Sequence, residues 1–318
     1  MMSNFTYLES SNLGVMLTSR GAGLAQLISK GRNIELLLDA SQWAADLIDQ
    51  FCIGGTVGPY AGRLQHKNGV TGESSVLLHG SNSGLHRLDW RLDHTDHAIT
   101  ASYSTSLNHG DGGLPGDREF SVRYTLENDR LVIDLAATSN RDTPISLTNH
   151  AYFTLGARSV SDLSLQINAH SVLETDSLQC ATGALLPVAN TRLDFTGQRL
   201  LADVQGPLDL DHSYVLDSAE GEQGLVPHHA AILANSANGI SLNVSTTQPC
   251  LQAYTASQLS EPLKPYSAVC LEAQGFPNGP SYMLGRNESV VRAGHSVSQR
   301  IVYHIIENPV AEPKVSEG

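Results

Sequence analysis

The sequence predicts an all-β protein made of one large antiparallel arrangement of strands. Three observations carry that reading. Short runs rich in β-branched and aromatic residues recur along the chain between turn residues. Twenty-eight glycines and thirteen prolines are spread as turn punctuation rather than gathered into a linker. A single stretch, Ser41–Phe51, carries helical spacing. The 318 residues are enough to bury a large core, and no internal repeat, heptad or low-complexity tract divides them. The expected organisation is one domain over residues 1–318.

The elements follow in order. Ser41–Phe51 reads as a helix capped by Ser41, with Trp43, Leu47 and Phe51 at four-residue spacing. Ser121–Leu126 and Leu131–Thr138 flank Glu127-Asn128-Asp129-Arg130, a four-residue polar loop suited to a hairpin. Leu163–Ile167, Ala231–Leu233 and Ile240–Val244 read as further strands. Near the C-terminus Val297, Gln299, Ile301, Tyr303 and Ile305 form one mostly apolar strand face, with Ser296, Ser298, Arg300 and Val302 opposite. Ser218–Gly224 reads as a surface loop and Pro309–Gly318 as a frayed tail.

Composition narrows the function classes. Hydrophobic residues make up 41% and charged residues 16%, which suits a soluble globular protein. A net charge of −13 argues against nucleic acid or an anionic membrane as partner, since both require basic surface. Met1–Glu9 lacks a basic region and an apolar core, so no signal peptide is expected. No run approaches the roughly 18 apolar residues of a membrane span. Cys52, Cys180, Cys250 and Cys270 show no CxxC spacing and sit far apart, which argues against a zinc ribbon or redox motif. The expectation is a cytoplasmic protein, monomer or homodimer, with four reduced thiols, Cys250 and Cys270 being small core residues in strands.

Two segments carry the chemistry. Thr148-Asn149-His150-Ala151-Tyr152-Phe153 supplies a histidine, and Cys270-Leu271-Glu272-Ala273-Gln274-Gly275-Phe276-Pro277 supplies a carboxylate. Together they make a minimal acid–base pair, able to donate one proton while removing another. Nothing in the chain reads as a phosphate loop, a nucleophile elbow or a dinucleotide fingerprint, so proton transfer on a small polar substrate is the expected chemistry. A carboxylate beside the apolar run Ala268-Val269-Cys270-Leu271 is costly to bury without a purpose. His150 alone is less informative, because a chain with 13 histidines offers many buried, hydrogen-bonded ones.

These segments resemble the aldose 1-epimerase (galactose mutarotase) family. The run TNHAYFTL is similar to the family's NHSYFNL, and CLEAQGFPNGPS to its CLEPQHFPDAPN. GGTVGPYAGRL (54–64), LLHGSNSGLHRLDW (77–90) and LDLDHSYVL (208–216) follow in the family's order, so the likeness runs from about Asn12 to Ile306. The resemblance implies a galactose mutarotase-like β-supersandwich with its site in an open cleft on one sheet. It implies a neutral aldose such as galactose or glucose as substrate, with no metal and no organic cofactor. By the same resemblance Glu272 is the base at the C1 hydroxyl and His150 the acid at the ring oxygen. His79 matches the histidine of the family's LHGG and Arg63 the arginine of its NRI, both sugar contacts. Asp211 matches the aspartate of the DH segment, with Asp209 two residues away as the alternative and His212 favouring Asp211. Gln252 matches the glutamine of Q-x-Y-T.

The chain departs from the family pattern at Pro59, Gly62, Ala273 and Gly275, where arginine, asparagine, proline and histidine are usual. Three other readings stand beside the mutarotase. A non-catalytic sugar binder on the same scaffold would not need both His150 and Glu272. An epimerase of a phosphorylated hexose would need a basic cluster, for which Arg63, Arg87 and Arg91 are the candidates. A histidine-liganded metal hydrolase would draw on His228-His229 or His94/His97, with no HExxH set to accompany them.

Overall fold

Alternating burial along the strands sorts most of the chain into two large antiparallel sheets that share one core. The computed structural model describes residues 5–67, 74–96, 98–204, 206, 209–217, 226–282 and 290–309. One sheet has nine strands, in spatial order Arg199–Leu200, Ser164–Ile167, His228–Asn235, Ile240–Thr246, Ser296–Glu307, Arg130–Ser139, Arg118–Glu127, Thr100–Leu107 and Arg91–Asp96. The other has six: Tyr152–Phe153, Val269–Gln274, Cys250–Tyr254, Asp211–Val215, Ser171–Thr175 and Ala181–Pro187. Tyr124, Ile133, Leu135, Ile301 and Tyr303 of the first sheet join Leu251, Ala253, Val269, Leu271 and Ala273 of the second in a single hydrophobic cluster. Each fully buried aliphatic or aromatic side chain there contributes roughly 1.5–3 kcal/mol. A smaller sheet, Phe5–Glu9, Leu13–Thr18, Gly23–Ser29 and Ile34–Glu35, adds Leu13, Val15, Leu17, Leu24 and Leu27 to the same core. This is the β-supersandwich that the sequence led us to expect.

The strands read from the sequence are present and longer than expected, except Leu163–Ile167, which runs only from Ser164 to Ile167. Gln299, Ile301, Tyr303 and Ile305 are buried on the last strand, while Ser296, Ser298 and Arg300 are exposed. The hairpin loop is shorter than the sequence reading. Glu127 and Arg130 pair in the ladder, and the turn is Asn128-Asp129 with Asn128 at φ +51°. A two-residue hairpin turn calls for left-handed backbone, which asparagine tolerates better than most residues.

The helix is also shorter, running from Ala45 to Phe51, and Ser41 is not its cap. Ser41 lies inside a single 3-10 turn, Ala40–Gln42, and the Asp39 carboxylate accepts its backbone N–H at 2.9 Å. Asp39 thus caps that turn, Trp43 is extended, and the helix itself starts after Ala44, which makes no side-chain cap bond. Trp43, Leu47 and Phe51 still pack together, against a second cluster containing Tyr152, Tyr254 and Cys270. All four cysteines are buried and free of disulfides. Ser218–Gly224, His97 and the tail beyond Pro309 lie outside the described residues. Among the described residues no helix is long and apolar enough to cross a membrane.

Glu35 shows how a buried carboxyl can act against stability. Its Oε1 accepts the N–H groups of Leu27 and Leu37 at 3.0 Å each, while Oε2 is buried without a partner. Burial outweighs those hydrogen bonds and raises its pKa to about 7. The folded state therefore holds this proton between about pH 4.5 and 7 while the unfolded chain releases it, so stability falls as pH rises through that window. A shift of that size corresponds to at most about 3 kcal/mol. Glu35→Gln is expected to flatten the decline in melting temperature between pH 5 and 7.5; parallel curves for the two proteins would refute this.

Candidate active site

Period-two alternation splits the central strand of the smaller sheet between two tasks. Leu271 and Ala273 face the shared core, while Cys270, Glu272 and Gln274 face the other way, towards the cleft. Register then aligns polar residues across neighbouring strands: Glu272 is opposite Gln252, and Gln252 is opposite Ser213. Asp211, two residues from Ser213, shares that face, and its Oδ1 accepts a hydrogen bond from Gln252 Nε2 at 2.7 Å. Asp209 is instead paired with Arg192 at 3.2 Å, which separates it from this row. The structure thus places Asp211, and not Asp209, in the polar row beside Glu272.

His150 reaches the same cleft from a different element. It follows the two-residue strand Thr148–Asn149, which pairs with Thr56–Val57. Its N–H donates to Gly55 O at 3.0 Å, and its carbonyl accepts from Gly54 N at 2.9 Å, so both backbone groups are clamped by one loop. Asn149 anchors that loop from inside the core. Its Nδ2 donates to Gly54 O at 3.0 Å and to the Tyr124 hydroxyl at 3.4 Å, and its Oδ1 accepts from the Tyr303 hydroxyl at 3.4 Å. Tyr152 completes the cradle, stacking on the imidazole at 5.0 Å with its hydroxyl donating to Phe51 O.

The outcome is an imidazole Nε2 that lies 3.5 Å from Glu272 Oε1, with both side chains less than a tenth exposed. That distance suits an ion pair, yet burial works on each partner in the opposite sense. It pushes the imidazole well below its ordinary range, with His86 adding to the effect, and the carboxyl well above its own, with Asp211 adding. His150 Nδ1 has no hydrogen-bond partner, so a full imidazolium is poorly served there. We therefore treat the two groups as one unit that shares a proton, rather than as a fixed ion pair.

A hairpin brings Arg63 and His79 to the rim. Arg63 pairs with Leu78 in register, which sets His79 next to Gly62. Gly62 N donates to His79 Nδ1 at 3.2 Å and Gly62 O accepts from His79 N at 3.1 Å. His79 is held neutral by burial, so its remaining hydrogen sits on Nε2. The turn that carries it requires glycine next: Gly80 has φ +78°, and a Cβ there would lie 2.5 Å from Gly58 O. Its ring meets His150 edge-on at 5.7 Å.

All six residues singled out from the sequence therefore lie on the elements that enclose this cleft. Sequence reasoning missed Asn149, Tyr152 and Gln274. Asn149 directly precedes His150 and Tyr152 lies two residues after it, and their amide and aromatic character was the available signal. The Gln274 amide is buried with neither atom partnered, and lies 3.8–3.9 Å from where a Gly62 Cβ would be. Nothing blocks a Cβ at Gly62 by contact, but its φ of +74° restricts what can stand there. Ala273 faces the core rather than the site, and Gly275 N donates to Ser146 Oγ at 3.1 Å. Arg91 pairs with Asp93 on an edge strand of the nine-stranded sheet, so it does not join Arg63 in a basic cluster. Among the described residues no group of three or more His, Cys, Asp or Glu is placed to hold a metal ion.

A buried imidazole and carboxyl 3.5 Å apart, set in a two-sheet β-protein, make a candidate proton-transfer site. The sequence profile of the aldose 1-epimerase family matches residues 6–304. Galactose mutarotase of Rattus norvegicus is 30% identical over 301 residues, 85% of each chain. Aldose 1-epimerase of Haemophilus influenzae is 30% identical over 265 residues, 75% of this chain and 76% of its own. Among solved structures, a GalM/aldose epimerase homologue from C. elegans superposes with a TM-score of 0.82 at 27% identity, covering 96% of this chain and all of that one. The chain belongs to the aldose 1-epimerase family.

Asn149→Ala removes the loop anchor while leaving the acid–base pair in place. It is expected to lower kcat by roughly tenfold to a hundredfold through misplacement of His150, and to cost about 1–3 kcal/mol of stability. Steady-state kinetics beside a denaturant titration check both, and an unchanged kcat would show that the loop clamp does not govern His150.

Proposed function

We propose that the protein interconverts the α and β anomers of a free aldose, galactose or glucose in the first instance, and that it does so as one domain working in the cytoplasm. The observation that carries this reading is the 3.5 Å approach of His150 Nε2 to Glu272 Oε1 on the cleft floor. The two oxygens that must exchange protons are bonded to the same carbon, so a donor and an acceptor this close can serve both.

In this reading Glu272 takes the proton of the C1 hydroxyl while His150 gives one to the ring oxygen. The bond between C1 and the ring oxygen breaks as the C1 carbonyl forms, leaving an open-chain aldehyde. Rotation about C1–C2 presents the other face of the carbonyl. The freed hydroxyl then attacks it, returning its proton to His150 as Glu272 returns one to the C1 oxygen. The proton count closes at the end of each cycle, and positioned acid–base groups of this kind give about 10²–10⁴-fold in rate. Arg63 and His79 donate to sugar hydroxyls from the rim, and Asp211 with Gln252 forms the opposing polar pair.

Glu272→Gln and His150→Asn are each expected to abolish mutarotation while leaving the fold intact. Polarimetry of freshly dissolved α-anomers reads this directly, and turnover within a few-fold of wild type in either variant would overturn the assigned roles.

The shared proton also sets a pH dependence. Activity needs one proton in the pair, so it falls when a second is added and when the last is lost. Because burial depresses His150, the acid limb of kcat/KM is expected below the ordinary histidine value of about 6.5, and because burial raises Glu272, the alkaline limb is expected above the ordinary glutamate value of about 4.3. An acid limb at or above 6.5 would mean that an unperturbed histidine governs turnover.

A further inference from the structure

Around Arg63 the rim holds a polar mesh whose other members the mechanism does not use. The turn between the strands Ser171–Thr175 and Ala181–Pro187 carries Gln179, whose side-chain oxygen accepts a hydrogen bond from Arg63 Nη2. That contact is built rather than incidental. Gln179 has φ +60°, a left-handed backbone that glutamine seldom adopts, and strain of this kind persists only where the surroundings enforce it. Asp176 enforces it here, with Oδ1 accepting the N–H groups of Leu178 and Cys180 at 2.9 Å each. The turn is then tied to the strand of Arg63: Gln65 Nε2 donates to Asp176 Oδ2 at 3.3 Å. Asn278 closes the mesh by accepting from Gln65 N at 2.9 Å and donating to Ala181 O at 2.9 Å.

The site therefore holds two glutamine-plus-charge pairs, Gln252 with Asp211 and Gln179 with Arg63. The first presents a carboxylate acceptor, the second a guanidinium donor. Arg63 has one nitrogen fixed by Gln179, which orients the planar fork and leaves its other donors for hydroxyls remote from the reacting carbon. Holding a long side chain in its working geometry before binding spares the rotamer freedom that would otherwise be lost on binding.

We propose that Gln179 is a positioning residue for the sugar, acting through Arg63, and that it helps select the aldose by its hydroxyls away from the anomeric carbon. This rests on the reading of the cleft as a sugar site. Gln179 is exposed at a turn, so its replacement does not open the core. Gln179→Ala is expected to raise KM about three- to tenfold, the range of one hydrogen bond, with kcat within about twofold. Gln179→Glu keeps an acceptor oxygen facing Arg63 and should restore KM to within about twofold of wild type. In an Arg63→Ala background, Gln179→Ala should have no further effect, since a cycle isolates coupling between contacting residues.

Steady-state polarimetry of the four proteins of the cycle and of Gln179→Glu tests this, across galactose, glucose and other aldoses. Calorimetric Kd values for the same sugars are measured in parallel, so that the cycle is read even without turnover. The proposal is overturned by an unchanged KM and Kd in Gln179→Ala, by a loss confined to kcat, or by an undiminished effect without Arg63. Absence of mutarotation in the wild type would count against the proposed function instead, and the Kd cycle would still decide the role of Gln179.

Discussion

Desolvation of a carboxyl and an imidazole at one spot is the constraint on which the site depends. Each group left alone in such a place would be driven to its neutral form. Side by side at 3.5 Å they can hold one proton between them with no net charge, which makes the burial tolerable and the proton mobile. The surrounding structure serves that arrangement. Glu272 is fixed by strand register in a sheet whose other face is packed core. His150 is fixed by a loop clamp that Asn149 ties to Tyr124 and Tyr303 of the opposite sheet. The two sheets thus meet at the reacting pair, one through a side chain on its face and the other through a buried tyrosine–asparagine network.

The cleft is graded from floor to rim. At the floor, the rings of Tyr152 and Tyr254 pack against the buried imidazole, and His79 meets it edge-on from the rim. Towards the rim, polar pairs replace rings, and their partners are exposed enough to exchange protein contacts for those of a hydroxyl. Chemistry needs the first environment, where charges are weakly screened; recognition of a polar ligand needs the second. Substitutions at Gly62 and Gly275 fall between these zones, whereas Ala273 belongs to core packing and has no direct bearing on the ligand.

Much of this was legible in the sequence because alternation of apolar and polar residues is local. The last strand and the hairpin around Asn128 could both be read from spacing. Family motifs then singled out the six cleft residues. What was not legible depended on three-dimensional competition. Ser41 is a good cap by type, but the Asp39 carboxylate holds it in a separate 3-10 turn, and the helix starts only after Ala44. The hairpin loop was overestimated because Glu127 and Arg130 are polar, although polar residues are at home on the exposed ends of a ladder. The pairing of Asp209 with Arg192, away from the row that holds Asp211, was out of reach because the sequence does not place Arg192 near either. Gln179 was invisible for the same reason, since it meets Arg63 across more than a hundred residues of chain.

The central claim is that the anomeric centre of an aldose rests over the His150–Glu272 pair. A crystal structure of the Glu272→Gln variant soaked with galactose tests it most directly. The account predicts the C1 hydroxyl within hydrogen-bond distance of the residue 272 amide, the ring oxygen at His150 Nε2, and the remaining hydroxyls at Arg63, Asp211 and Gln252. A sugar bound with its reducing end away from His150, or seated on another face of the molecule, would contradict it.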